Sequence, residues 1–117
     1  MTADELRQAA ATLRERADRA TPGEWLTLST GSRYVISDGG SCVARCESAQ
    51  TIERVEADAA YIATVHPGVG LALADWLDFM AAGRIALDAV TGSPTELFRD
   101  SETHALAVAR LINRGAA

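Results

Sequence analysis

The sequence contains no lysine and only two histidines among its 117 residues. Without lysine the chain can form neither a Schiff base nor the lysine-dependent phosphate loop of P-loop proteins, and no serine stands in a G-x-S-x-G context. His66 and His104 fall on different predicted elements, and neither has a cysteine or carboxylate at ligand spacing, whereas transition-metal sites use three or four ligands. The sequence therefore predicts a protein that is not an enzyme and that needs no metal or other cofactor.

Cysteine is also scarce, with Cys42 and Cys46 as the only two. If both lie on one extended strand, about 13 Å separates them at ~3.3 Å per residue. A disulfide needs Cα atoms within ~7 Å, so a bridge within the strand is excluded. We expect two small apolar residues that pack on one face of a sheet.

Positive charge comes from arginine alone, and the net charge is -5. This acidity disfavours non-specific binding to nucleic acid and to anionic membrane surfaces. No apolar run approaches the ~18 residues of a membrane span, and the first residues lack the basic start and apolar stretch of a secretion signal. We therefore expect a cytoplasmic protein without nucleic-acid or membrane partners.

Apolar residues recur with clear periodicity along the chain. The length of 117 residues predicts one domain over 1–117. Thr2 and Glu5 form a capping box that opens a helix, which Pro22 and Gly23 end. Three β-rich runs at 25–29, 33–37 and 42–46 follow, separated by turn residues, and predict a three-stranded antiparallel meander. The helix's apolar stripe is Leu6, Ala10, Leu13, Ala17 and Ala20.

Helical periodicity resumes after the meander and continues to the end of the chain. A second helix ends near Val65, and His66 caps a third with Pro67 at its first position, running through Gly83 toward Val90. Ser93 to Glu96 form a second capping box that opens the last helix. The class is α+β: an N-terminal helix, the meander, then three helices that include a C-terminal helical hairpin. The three stripes are Ile52, Val55, Ala59, Ile62 and Ala63; Val69, Leu73, Trp76, Leu77 and Met80; and Leu97, Phe98, Ala105, Val108, Leu111 and Ile112.

Two short signatures stand together in this chain. One is Thr21-Pro22-Gly23-Glu24-Trp25 after an Ala/Arg-rich helix. The other is Asp58-Ala59-Ala60-Tyr61-Ile62-Ala63, followed by Pro67 and Val69-Gly70-Leu71-Ala72-Leu73-Ala74-Asp75-Trp76-Leu77. Over roughly residues 6–80 the chain resembles the small phage and prophage accessory proteins of the Ead family of the lambdoid early region, in the form found in actinobacterial phages. Glu24 replaces the second proline of the usual first signature. The resemblance implies a non-essential accessory role during infection and no known active site.

Arginines and aromatic rings on the meander suggest a ligand site. Arg33 and Arg45 fall on neighbouring strands, near Tyr34, and Tyr61 points away from the apolar stripe of its helix. Guanidinium groups with aromatic rings can hold a flat phosphorylated ligand through bidentate hydrogen bonds and stacking. We expect Arg33 and Arg45 to contact the phosphates, with ordinary sheet packing as the alternative interpretation. Trp25 is expected in the core.

A helical wheel of the third helix predicts an interface. Its apolar arc is about 160° wide, whereas docking on its own core needs only about 100°. Phe79 lies on one shoulder of the arc, and Leu71 and Ile85 lie outside it, as Leu106 does for the last helix. Exposed apolar patches of this kind mark interfaces. Arg84 falls inside the arc, so the helix bends at Gly83 or the arginine extends its charge to solvent.

Two further patterns have simpler interpretations. Asp75 and Asp78 have the spacing of paired carboxylates for acid–base chemistry, but on the polar side of their helix they are expected to be solvated charges. Gly68 and Gly70 lie at a helix N-terminus that could hold an anion, but a tight helix–helix corner accounts for them.

The function expected from these observations is that of a non-enzymatic phage or prophage accessory protein. It would act through protein contacts, with itself as a homo-oligomer or with a host protein. The alternative is a counter-defence protein that binds and sequesters a nucleotide-type signalling molecule. This alternative rests on the small size of such proteins and on the missing catalytic residues.

Overall fold

The computed structural model describes residues 2–27, 32–47, 51–90 and 95–116. The elements are α1 (Thr2–Arg19), β1 (Trp25–Thr27), β2 (Tyr34–Ser37), β3 (Cys42–Arg45), α2 (Ile52–Thr64), α3 (Pro67–Asp88) and α4 (Glu96–Ala116). This order confirms the predicted α+β class, with the meander between the first helix and the remaining three.

The chain divides into two compact units. Met1–Arg16 with Leu71–Ala117 form what we call the helical unit, and Ala17–Gly70 form the sheet unit. The single domain expected from the length stays a prediction. Among the described residues, no helix combines the length and the apolarity that crossing a membrane requires.

Alanine dominates the core of the helical unit. Leu6 and Leu77 are its large, fully buried side chains, and Trp76 and Phe98 pack against it half-buried. Helix axes approach more closely where the contact residues are small, so these alanines bring α1, α3 and α4 together. The predicted burial of Trp76 is therefore only partial. The buried residues are Leu6, Ala9, Ala10, Ala74, Leu77, Met80, Ala81, Ala105 and Ala109.

Two predicted stripes needed correction at their ends. Leu97 and Leu111 of α4 are exposed, because they stand roughly 100° and 140° from Phe98 on the helical wheel, whereas Ala105 and Ala109 share its face. Leu106, predicted to lie outside the stripe, is half-buried and packs against the core. Ile52 at the start of α2 is also exposed.

The sheet has the order β1-β2-β3, and both pairs are antiparallel. Its inner face packs against α2 in a core of Val35, Cys46, Val55, Ala59 and Ala63. Trp25 packs against this core, as predicted, and its indole Nε1–H donates to the Thr21 carbonyl at 2.9 Å. The three strands thus reach the stability that so small a sheet lacks alone.

A bulge in β3 separates the two cysteines. Val35 pairs with Ala44 but Ile36 pairs with Cys42, so Val43 is an extra residue in β3. The extra residue resets the side-chain alternation of the strand. Cys42 is consequently exposed and Cys46 is buried, and both are free thiols. The expectation that the two share one face is wrong for this reason.

Helix starts follow the predicted capping chemistry in part. His66 caps α3 as predicted: its Nδ1 accepts from the Gly68 amide at 3.1 Å, and Pro67 is the first helical residue. Thr51 caps α2, with Oγ1 accepting from the Arg54 amide at 3.2 Å. For α4 the cap is Thr95, whose Oγ1 accepts from the Phe98 amide. Ser93 and Pro94 of the predicted capping box lie outside the described residues.

Arg84 neither bends α3 nor extends to solvent. Its guanidinium lies 5.7 Å from the centroid of the Phe98 ring and binds Glu102 of α4 through two hydrogen bonds. A glycine at position 83 permits this contact, because a Cβ there would lie 2.8 Å from Cε2 of Phe98. The helix therefore runs through Gly83 as predicted, and Arg84 joins the two helices of the C-terminal hairpin.

Candidate functional site

A shallow pocket of about 450 Å³ lies between the end of β3 and one side of α2. The sheet contributes Arg45 and the residues beside it, and α2 contributes Asp58, Tyr61 and Ile62. These three project together because positions three and four apart share a helix face. The lining residues are Ala44, Arg45, Cys46, Glu47, Asp58, Tyr61 and Ile62.

Charge in this pocket is mixed rather than basic. Arg45 Nε lies 3.2 Å from Oε1 of Glu47. Asp58 adds a second carboxylate, so the lining carries one positive and two negative groups. A phosphate bound by Arg45 would therefore lie beside two carboxylates. The predicted phosphate contact of Arg45 stays a prediction.

The predicted site residues are brought together only in part. Arg45 and Tyr61 line the pocket. Tyr34 is the cross-strand partner of Arg45, and the Arg45 guanidinium carbon lies 5.8 Å from the centroid of the Tyr34 ring. Arg33 precedes β2, and it is not a lining residue of the pocket. Sequence reasoning missed Asp58, although its position three residues before Tyr61 on the same helix was a usable signal.

A second groove of about 450 Å³ lies along the other side of α2, against β1. Its polar members are Thr27, Thr64 and His66, and its apolar members are Trp25, Leu26, Ala60 and Ala63. The His66 Nδ1 is occupied by the Gly68 amide, so its capping role accounts for the ring. Within the described ranges no three His, Cys, Asp or Glu side chains are grouped as a metal site.

The outward side of α3 is the other candidate surface. It presents Ala72, Phe79, Ala82 and Ala86, all exposed, and Phe79 keeps 73% of its surface accessible. Leu71 and Ile85, both predicted interface residues, are exposed beside it. We use the name α3 outer face for Ala72, Asp75, Phe79, Ala82 and Ala86. Leu106, the fourth predicted interface residue, packs within the helical unit instead.

Asp75 is the single charged position on the α3 outer face, and it is paired. Arg14 of α1 donates through Nη2 to Asp75 at 2.9 Å and through Nη1 to Asp78. Hydrogen bonding to Asp75, followed by that to Asp78, raises the pKa of the Arg14 guanidinium. The side chains of both aspartates are accessible to solvent, as expected from the sequence, and they also share the Arg14 guanidinium in one ion-pair network.

The family model of Ead/Ea22-like proteins matches residues 5–111. The chain belongs to the Ead/Ea22-like family. The match extends past Gly83 and includes most of α4, whereas the signatures recognised in the sequence end near residue 80. No curated protein and no solved structure matches the chain.

Membership in the Ead/Ea22-like family indicates a phage accessory protein of the early region. The match spans both grooves beside α2 and the α3 outer face, so all three candidate surfaces belong to the Ead/Ea22-like part of the chain.

Proposed function

We propose that this Ead/Ea22-like protein acts without catalysis, through protein contacts, and that it self-associates through the α3 outer face. The observation that carries the proposal is the exposure of Phe79 at 73% in the middle of an apolar helix surface. Helices that are apolar on all sides are normally buried. The inner side of α3 is already buried in the helical unit, so a second copy of the chain is the occupant we expect on its outer side.

The spacing of the α3 outer face supports a helix–helix contact. Its positions 72, 75, 79, 82 and 86 alternate steps of three and four residues, which is the spacing of a coiled-coil seam. The seam places one large ring among alanines, and large residues pack best opposite small ones. Two antiparallel copies can set Phe79 of each against Ala82 of the other.

Charge on this face also favours a second copy. Arg14 pairs with Asp75 and Asp78 within the same chain, so each copy of the face brings a partly compensated carboxylate rather than a bare one. The seam is therefore suited to a neutral, apolar helix such as α3 itself.

Sedimentation velocity at micromolar concentration tests this proposal. The wild-type chain should sediment as a dimer or larger closed oligomer, and Phe79→Ser should shift it toward the 12.4 kDa monomer. Ile52→Ser is the matched control, because Ile52 is an exposed apolar residue of the sheet unit. A wild-type monomer at all concentrations would overturn the proposal.

The second candidate function is the binding of a nucleotide-type ligand as a counter-defence activity. The specific observation in its favour is that Arg45 and Tyr61, both expected at such a site, line one pocket. Ligand pockets commonly have volumes of about 300–1,000 Å³, and this one lies in that range. Binding without turnover would sequester the ligand.

A further inference from the structure

The Asp58 carboxylate is the group in the sheet-unit pocket that remains without a role. It lines the pocket, and within the described part of the chain it makes no hydrogen bond or ion pair. A carboxylate only accepts hydrogen bonds, through two oxygens side by side. The ligand group that it suits is a pair of adjacent N–H donors.

Arg45 supplies the opposite chemistry in the same pocket. Its Nε lies 3.2 Å from Oε1 of Glu47 in an ion pair, which leaves the two terminal nitrogens of the guanidinium for a further acceptor. The Tyr34 ring at 5.8 Å and the Glu47 carboxylate hold the guanidinium from two sides. A planar guanidinium fork of this kind matches two neighbouring acceptor atoms on a flat molecule.

Tyr61 supplies a flat apolar surface. Its side chain is 70% exposed and stands one helical turn after Asp58, with Ile62 and Ala44 completing the apolar lining. Stacking of a base on such a ring does not depend on the identity of the base. Recognition in this pocket must therefore come from Asp58 and Arg45.

We propose that this pocket binds a guanine base. Guanine presents the N1–H and N2–H₂ donors side by side on its Watson–Crick edge, for the Asp58 oxygens, and the O6 and N7 acceptors on its other edge, for Arg45. Adenine lacks the pair of adjacent donors that a carboxylate needs. The inference rests on the second candidate function, ligand binding, and names the ligand class that the pocket selects.

Isothermal titration calorimetry with four monophosphates, those of guanosine, adenosine, inosine and xanthosine, tests the inference. All four carry the same phosphate, so differences report the base alone. The guanosine nucleotide should bind about 5- to 150-fold more tightly than the adenosine nucleotide, because one bidentate pair discriminates by a factor in this range. The inosine nucleotide, which lacks the N2 amine, should fall between them.

Asp58→Asn gives the sharpest result. The amide offers one donor and one acceptor, which fit the N1–H and the 2-oxo group of xanthine, so the preference should change from the guanosine to the xanthosine nucleotide. A merely unfolded variant could not gain affinity for a new base. Glu53→Gln, an exposed carboxylate on the same helix, and Arg33→Ala are matched controls that should leave the order of affinities unchanged.

The outcomes separate this inference from the function on which it rests. Equal binding of all four nucleotides, or an Asp58→Asn variant that weakens them uniformly, would overturn guanine recognition and leave ligand binding standing. No heat with any of the four would overturn both. Self-association is judged independently by sedimentation.

Discussion

Arg84 of α3 and Glu102 of α4 form a bidentate pair in which Nε and Nη2 donate to separate carboxylate oxygens, each at 2.6 Å. The two side chains are only 21% and 13% exposed. Arg110 and Glu5 form a looser pair at 3.3 Å, with side chains 57% and 36% exposed. The helical unit thus contains one Arg–Glu ion pair that is largely buried and one that is exposed to solvent.

Arg84→Met should lower the free energy of unfolding by about 1.5–3 kcal/mol, because it leaves the half-buried Glu102 carboxylate without its charged donor. Arg110→Met should change it by about 0–1 kcal/mol, since exposed ion pairs contribute little. Chemical denaturation of both variants measures the difference. Equal losses would mean that burial does not set the strength of these pairs.

Stability conferred by Arg84 should not depend on pH between about 7 and 10. The hydrogen bonds that Arg84 donates to Glu102 raise the pKa of the Arg84 guanidinium above its ordinary value. A group whose pKa is raised on folding contributes its full stability at pH values below its unfolded-state pKa. That contribution is lost only as pH rises through the folded-state pKa, which is far above this range. The difference in unfolding free energy between the wild type and Arg84→Met should therefore be the same at both ends of the range. A difference that shrinks as pH rises would contradict this assignment.

Leu77→Ala should cost about 2–5 kcal/mol, because Leu77 is fully buried among alanines that cannot fill the cavity. Leu97→Ala makes the same chemical change on an exposed side chain of α4 and should stay within about 0.5 kcal/mol. Urea denaturation followed by circular dichroism compares them. A small loss for Leu77→Ala would show that the helical unit repacks around the missing side chain.

Gly83→Ala and Gly70→Ala should have opposite signs, although both glycines lie in α3. Alanine favours the helix by up to about 1 kcal/mol over glycine. At position 70 nothing lies within 4 Å of the new Cβ, so this gain should appear as added stability. At position 83 the Cβ would stand 2.8 Å from the Phe98 ring, and overpacking of about 1–3 kcal/mol should outweigh the gain. Thermal unfolding of Gly83→Ala with and without Phe98→Leu tests this, since the smaller side chain should restore the loss.

The order of elements was predictable from the sequence because capping residues, turn residues and apolar spacing act locally. His66 and Pro67 predicted the start of α3 without any knowledge of tertiary contacts. Which residues at the ends of an apolar stripe are buried was harder to predict. Leu97 and Leu111 have the same apolarity as buried leucines, and only the partner helix decides which side of α4 is covered.

The candidate site was predictable only where a residue type carries one dominant chemistry. Arg45 and Tyr61 were selected for stacking and hydrogen bonding, and they do line one pocket. Glu47 and Asp58, which change its charge, were missed because exposed carboxylates are common on any surface. Arg84 was misjudged because its partner Glu102 lies 18 residues away on another helix.

The extra residue Val43 gives the protein two thiols of unequal exposure to solvent. Cys42 is open to solvent and Cys46 is enclosed in the core of the sheet unit, so a thiol reagent should modify the first at once and the second only when the strands and α2 part. The rate at which Cys46 is modified consequently measures how often the sheet unit opens, and the rate for Cys42 is the internal standard in the same molecule. Any ligand held beside Cys46 in its pocket should slow the modification of Cys46, so the two natural cysteines report occupancy of the pocket without an introduced cysteine.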